Sequence, residues 1–271
     1  MNRFCICWAL VCVVMLAGCS KDGPFAKKAI ISKVTVTRYI IDDNGDYQMN
    51  FQETQVPTYD AKKRLVKLHV NSWEKENEWL SDYSGYVPHF VESEDEEITI
   101  TYYDKSHTGL LVIKGVYYVY NSDYTERTAK EIQNNPMDLT FDSNWYVTSL
   151  DESPYTYTGG YFDYAKSVQA GWRGGDLALF GDYTITYSEE PNPFYWGLDL
   201  SLYNAYLPRL YYWGLMGKHS AHLPAKIVEN YLGTDITEEV SFTKDDAGRI
   251  TQLRFDTVPA STSYTLIDVE Y

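Results

Sequence analysis

The sequence predicts an all-β protein: one large antiparallel meander, strongly curved or barrel-like, with few short helices. Three observations carry that prediction. Apolar and polar residues alternate along run after run, as from Lys33 to Ile40 and from Tyr183 to Tyr187, and period-two alternation marks a half-buried strand. Turn dipeptides such as Asn44-Gly45 and Gly159-Gly160 punctuate these runs, as hairpins require. Aromatic residues reach 16%, with Tyr 26 and Phe 10; Tyr favours strands and carries a polar tip suited to half-exposed positions. A β-sandwich is the alternative packing of the same strands.

At the N-terminus, Arg3 precedes an apolar run from Phe4 to Ala17. The run is too short for a membrane span and reads as a signal peptide. It ends Leu16-Ala17-Gly18-Cys19, which resembles the lipobox of bacterial lipoproteins. That resemblance implies removal of residues 1–18 and acylation of Cys19; a short tether over 19–28 and a single all-β domain over 29–271 are expected to follow. Two or more acyl chains give stable membrane attachment, so the membrane is an expected partner through the lipid. Ser20-Lys21-Asp22-Gly23 is similar to the tag that directs lipoproteins of Bacteroides-like bacteria to the cell surface. An outer-membrane position facing inward is the alternative. The other cysteines, Cys5, Cys7 and Cys12, fall in the signal. The body therefore offers no disulfide framework, zinc cluster or cysteine nucleophile. A net charge of -15 argues against a nucleic-acid partner.

The body then reads in order. Ile31 to Ile41 is a strand with Val34, Val36 and Ile40 on one face. Asp42 to Asp46 is a hairpin turn. Asp42, Asn44 and Asp46 also have calcium-loop spacing, with Glu53 twelfth, but Tyr47 occupies the slot where the sharp bend needs glycine. Gln48 to Gln55 returns, Pro57 marks an end or an edge, and Leu65 to Val70 forms the next strand. The polar stretch from Asn71 to Pro88 is expected to be a long loop with one helical turn. Glu92 to Glu97 is expected to be a solvated acidic turn. Ile98 to Tyr102 alternates. Leu110 to Tyr120 is apolar on both parities and is expected as a central strand or pair, bent at Gly115. Thr125 to Gln133 is expected to be a short helix. Strands follow around the Asp142-Ser143-Asn144 turn, the Gly159-Gly160 turn and the Gly174-Gly175 tip.

From Phe194 to Met216 the period changes. Leu198, Leu202, Tyr206 and Leu210 recur at four-residue spacing, and Pro208 forbids one unbroken helix. A loop or short helices covering an open part of the sheet is expected. The segment is rich in aromatics, and Trp196, Tyr206, Tyr212 and Trp213 form the candidate ligand patch, suited to a glycan or a protein partner. His219 and His222 are three apart without a third metal ligand, and a Ser-His pair in the same stretch does not make a triad by adjacency. No catalytic residue, metal site or cofactor is expected.

The last unit, Leu223 to Tyr271, holds three strand-like runs and a turn at Asp246-Ala247-Gly248. Weaker echoes lie around Trp172 and at Phe141 to Glu152, which suggests degenerate hairpin repetition. The run LPAKI followed by DDAGRITQL resembles the C-terminal pattern of a Bacteroides-type lipoprotein family of unknown function with a porin-like fold. The Tyr-rich strands and Gly-Arg turn loosely resemble the YD repeats of Rhs-type proteins. These resemblances imply a fold and an outer-membrane location, and bring no activity. The expected function is a non-catalytic structural or ligand-binding lipoprotein. The competing expectations are a carrier or chaperone for an apolar ligand, and a glycan or peptide hydrolase.

Overall fold

A computed structural model describes residues 30–42, 44–79, 86–120, 127–133, 135–162, 170–192, 213–231, 233–258 and 263–271. The first half contains β1 (Lys33–Ile41), β2 (Tyr47–Tyr59), β3 (Leu65–Trp79), β4 (Tyr86–Tyr103), β5 (Thr108–Tyr120), β6 (Arg127–Gln133), β7 (Met137–Phe141), β8 (Val147–Leu150) and β9 (Ser153–Pro154). The second contains β10 (Tyr157–Thr158), β11 (Tyr161–Phe162), β12 (Ala170–Arg173), β13 (Asp176–Phe180), β14 (Tyr183–Pro191), β15 (His222–Tyr231), β16 (Thr234–Lys244), β17 (Ile250–Val258) and β18 (Ser263–Glu270). All but β10 and β11 belong to one 16-stranded antiparallel meander, running from β12 through β18 to β1 and on to β9. The first strand sits mid-sheet because β1 pairs with β18, Val34 opposite Val269 and Val36 opposite Ile267.

The antiparallel meander agrees with the expectation, but three parts of that expectation are corrected. The sheet is open and not strongly curled: β12 and β9 end the path without pairing to each other. The chain between them forms its own two-stranded sheet, β10 with β11. The strands lie in one large sheet rather than the two packed sheets of a sandwich. No helix occurs among the described residues. The expected helix at Thr125 to Gln133 is β6, with residues 125–126 outside the described range. It pairs along β5 from Lys114–Gln133 to Tyr120–Arg127. An isolated helix of that length is marginal in water, whereas the edge of β5 offers a ladder to backbone groups that need partners.

Two expected loops are strand. Asn71 to Trp79 continues β3, and Tyr86 onward belongs to β4, paired from Lys67–Thr99 to Trp79–Tyr86. The acidic run Glu92 to Glu97 lies inside β4, not at a turn. Alternation divides its charges between two faces. On the outer face Asp95 meets His69 at 2.6 Å, Glu97 meets Lys67, and Glu92 accepts from Asn71 and Tyr118. On the inner face Glu96 lies opposite Val70 and Gly115. β5 is one continuous strand. A Cβ on Gly115 would stand 2.2 Å from the Asp95 carbonyl oxygen, so glycine here serves close strand approach.

The core lines one face of the sheet. Leu65, Leu68, Ile98, Ile100, Leu111 and Ile113 fill it under β3 to β5, and Val34, Ile267, Leu253 and Phe255 continue it under β1, β18 and β17. Trp213, Leu215 and Met216 are buried against this cluster. The same stretch reaches both terminal regions of the sheet: Val147 N–H donates to Leu215 O, and Ala221 N–H donates to Gly175 O.

Four hairpin turns share one hydrogen-bond pattern, which the tip at Gly174-Gly175 beside Trp172 does not repeat. At Asp42, Asp60, Asp142 and Asp245 the carboxylate oxygen Oδ1 accepts the backbone N–H groups two and four residues on. The fourth residue of each turn is left-handed: Gly45, Lys63, Trp145 and Gly248. In three of these units a tyrosine locks the return strand. Tyr102 donates to Leu65 O at 2.9 Å, Tyr271 donates to Ile250 O at 2.9 Å, and Tyr157 donates to Val147 O. Arg64 and Arg249 repeat a further detail, each bonding back to the turn aspartate and lying over the locking tyrosine at 4.2 and 4.7 Å.

Three of these turns, with the Tyr103–Thr108 turn, define a rim. Asp60–Arg64, Tyr103–Thr108, Asp142–Tyr146 and Asp245–Arg249 all lie at the end of the sheet where Ser32 N–H donates to Glu270 O and the described chain begins. The Asp42–Asp46 turn lies at the opposite end of β1 and β2.

Candidate functional site

Two buried polar assemblies on the sheet are arranged well enough to be weighed as sites. The first joins the tip of β12–β13, the end of β14 and the stretch leading into β15. Asp176 is the residue at its centre. Its Oδ1 accepts the His222 backbone N–H at 2.9 Å, and its Oδ2 faces His222 Nδ1 at 2.8 Å. The Asp176 side chain is 12% exposed and the His222 side chain 39%. Nδ1–H donating to the carboxylate fixes the orientation of the ring. An aspartate that orients a histidine is half of a triad.

The neighbouring serine does not complete one. Ser220 is buried, and its oxygen accepts Leu177 N–H at 3.2 Å. Tyr187 donates to Leu177 O at 3.0 Å and lies 2.7 Å from Ser220 Oγ. Each hydroxyl carries one proton, so the directions are fixed: Leu177 N–H to Ser220, Ser220 O–H to Tyr187, Tyr187 O–H to Leu177 O. The ring of bonds closes on itself and spends the serine proton. Asn192 reinforces the joint, with Nδ2 donating to Ser220 O at 3.2 Å and its backbone N–H to Ala221 O at 2.8 Å. The arrangement ties three strands together, and its chemistry is that of a fastening.

The second assembly lies on the inner face above the aliphatic core. Register puts Glu53, Ser72 and Glu94 in one row, and Gln55, Val70 and Glu96 in the next. Trp213 Nε1 donates to Gln55 Oε1 at 2.7 Å, Gln55 Nε2 donates to Glu53, and Ser72 donates to the other Glu53 oxygen at 3.3 Å. A buried indole N–H needs such a partner. This chain of bonds locates the end of the aromatic segment on β2. Among the described residues no group of three or more His, Cys, Asp or Glu is placed to hold a metal ion.

Of the residues singled out from sequence, Trp213 is described, and it packs into the core at 4% exposure. Trp196, Tyr206 and Tyr212 lie outside the described residues, as does Cys19. The calcium-like loop uses the Asp42 carboxylate to cap Asn44 and Asp46. Those backbone bonds, with that from Asp46 foremost, hold the Asp42 carboxyl below its usual range. Sequence reading missed the roles of Asp176 and Tyr187 and the hydrogen-bonded cluster of Glu53, Gln55 and Ser72. An outer-face aromatic array was also missed: Tyr264 stacks on Tyr39 at 4.6 Å, takes the edge of Tyr47 at 4.8 Å and lies under the Arg254 guanidinium at 4.0 Å. These contacts run across β17, β18, β1 and β2, which makes the array a cross-strand ladder.

No protein-family model matches the chain, and no curated protein matches it. One solved structure that is similar is a porin-like protein from Bacteroides uniformis ATCC 8492. It is 13% identical, with a TM-score of 0.48, over 89% of this chain and 96% of that one. No residue role is carried over from it.

Proposed function

We propose that the chain is a non-catalytic lipoprotein of the outer membrane, fastened through Cys19 and serving a structural or ligand-binding role at the cell surface. The observation that carries this reading is the chemistry of the outer sheet face. Lys67 with Glu97, His69 with Asp95, and Lys114 opposite Glu97 occupy β3 to β5. Charges in the middle of strands disfavour contact with acyl chains, so the membrane attachment falls to the lipid rather than to the sheet. The polar assemblies support the non-catalytic half of the reading, because their carboxylates and hydroxyls are engaged in bonds that fasten segments of the chain to one another. Any ligand is assigned to the aromatic segment containing Trp196, Tyr206 and Tyr212, whose far end Trp213 pins to Gln55.

Metabolic labelling with a fatty acid tests the anchor: the wild type takes up label and Cys19→Ala does not. Protease added to intact cells then reads the side of the membrane. Label on Cys19→Ala, or no label on the wild type, rejects the lipoprotein. Glycan arrays probed with the wild type and with Tyr206→Ala test the ligand patch, and equal binding by the two rejects it.

A further inference from the structure

The position at which the chain joins the sheet bears on how the molecule stands on a membrane. Ile31 is buried in the core, and Ser32 N–H makes the first ladder bond to Glu270 O. The polypeptide therefore meets the sheet at the rim of aspartate turns. Eleven residue steps separate Cys19 from Ile30, a reach of at most about 40 Å at ~3.6 Å per residue. The opposite rim is the full length of β2 away, Tyr47–Tyr59, or on the order of 40 Å at ~3.3 Å per residue. Setting that opposite rim on the bilayer would consume the whole contour of the tether.

A second observation falls on the same rim. Among the described residues, Tyr103 and Ile30, at 47% and 46% exposed, exceed Ile41 and Tyr47 beside the Asp42–Asp46 turn of the opposite rim, at 37% and 39%. Tyr103 opens the Tyr103–Thr108 turn, and Ile30 is where the described chain begins. An exposed tyrosine with an apolar body and a hydroxyl tip suits the boundary between headgroups and water.

We propose that the rim of aspartate turns, with Ile30 and Tyr103, rests on the lipid headgroup surface, and that the rim carrying the Asp42–Asp46 turn is presented away from it. The inference rests on acylation of Cys19. It assigns the membrane-facing surface and leaves the opposite rim as the one open to a partner.

The body has no cysteine after Cys19, so single labels can be placed cleanly. Lys105→Cys marks the proposed membrane rim and Asn44→Cys the opposite one, both at exposed positions. Each acylated full-length mature variant, carrying a donor dye, is bound to vesicles of phosphatidylethanolamine and phosphatidylglycerol with a headgroup-attached acceptor. The Lys105→Cys donor is expected to be quenched several-fold more strongly than the Asn44→Cys donor. Equal quenching, or the reverse order, in protein that floats with the vesicles overturns the orientation while leaving the anchor intact. Protein that lacks acyl mass on Cys19 and fails to float overturns both.

Discussion

At the scale of single residues, the tyrosine hydroxyls do the most local work. Tyr102 and Tyr271 each reach the carbonyl of the first residue after a turn, Leu65 and Ile250, both buried. Burial drives both phenols up in pKa, Tyr271 to about 12, so each hydroxyl keeps its proton across the ordinary pH range. Removing one oxygen strands a buried carbonyl. Tyr102→Phe and Tyr271→Phe should each cost about 1 kcal/mol, and the costs should add, since β1 and β2 lie between the two bonds. Urea denaturation of the two single variants and the double variant checks this. Asp245 gives a pH prediction. Its carboxyl is lowered first by the Arg249 backbone N–H and then by the Arg249 side chain. A depressed acid contributes stability above its unfolded pKa of about 3.9. That contribution is lost as pH falls through the lower folded value. Asp245→Asn should melt below the wild type at pH 7, and the gap should close below about pH 3.9, read by thermal unfolding across that range.

At the scale of elements, the hairpin turns show both what sequence reveals and what it hides. Asn44-Gly45 and Ala247-Gly248 are legible because glycine takes the left-handed position. The Asp60 turn has the same hydrogen bonds, but Lys63 occupies that position with φ 62°. Its turn was therefore invisible to a search for glycine. Lys63 is exposed, and Lys63→Gly should stabilise the protein by about 0.5–1 kcal/mol, measured by urea denaturation. Lack of alternation misleads in a similar way. From Asn71 to Trp79 both faces carry polar residues, so the strand shows no period of two. Its ladders to β2 and β4 hold it extended. The acidic run of β4 reads as a solvated turn for the same reason, because one-letter order cannot show that Lys67 and His69 lie across from it.

For the molecule as a whole, long-range bonds fasten parts that the meander alone leaves separate. Ser220 is the joint between the stretch before β15 and the β13–β14 hairpin. Ser220→Ala breaks the closed ring and leaves Leu177 N–H without its acceptor, at a cost of about 1–3 kcal/mol. Hydrogen exchange should quicken at 176–187 and 213–222 and stay unchanged in β2 to β4, since local opening follows contiguous units. A uniform increase across the sheet would show instead that the joint sets global stability. The open path from β12 to β9 also explains why closure was overestimated. Strand count and alternation are local properties, whereas pairing of the first and last strands depends on what lies between them, here the separate β10–β11 pair.

What the sequence determined by itself was antiparallel β structure, the well-alternating strands and the glycine turns. Each is written in neighbours two to five residues apart, where backbone sterics and side-chain alternation act directly. Tertiary structure decided the mid-sheet position of β1 beside β18, the strand identity of Asn71 to Trp79 and Arg127 to Gln133, the Asp176–Ser220–Tyr187 fastening and the burial of Trp213 on Gln55. These depend on partners far away along the chain, and the hydrogen bond that settles each one exists only once the sheet has brought the two sides together.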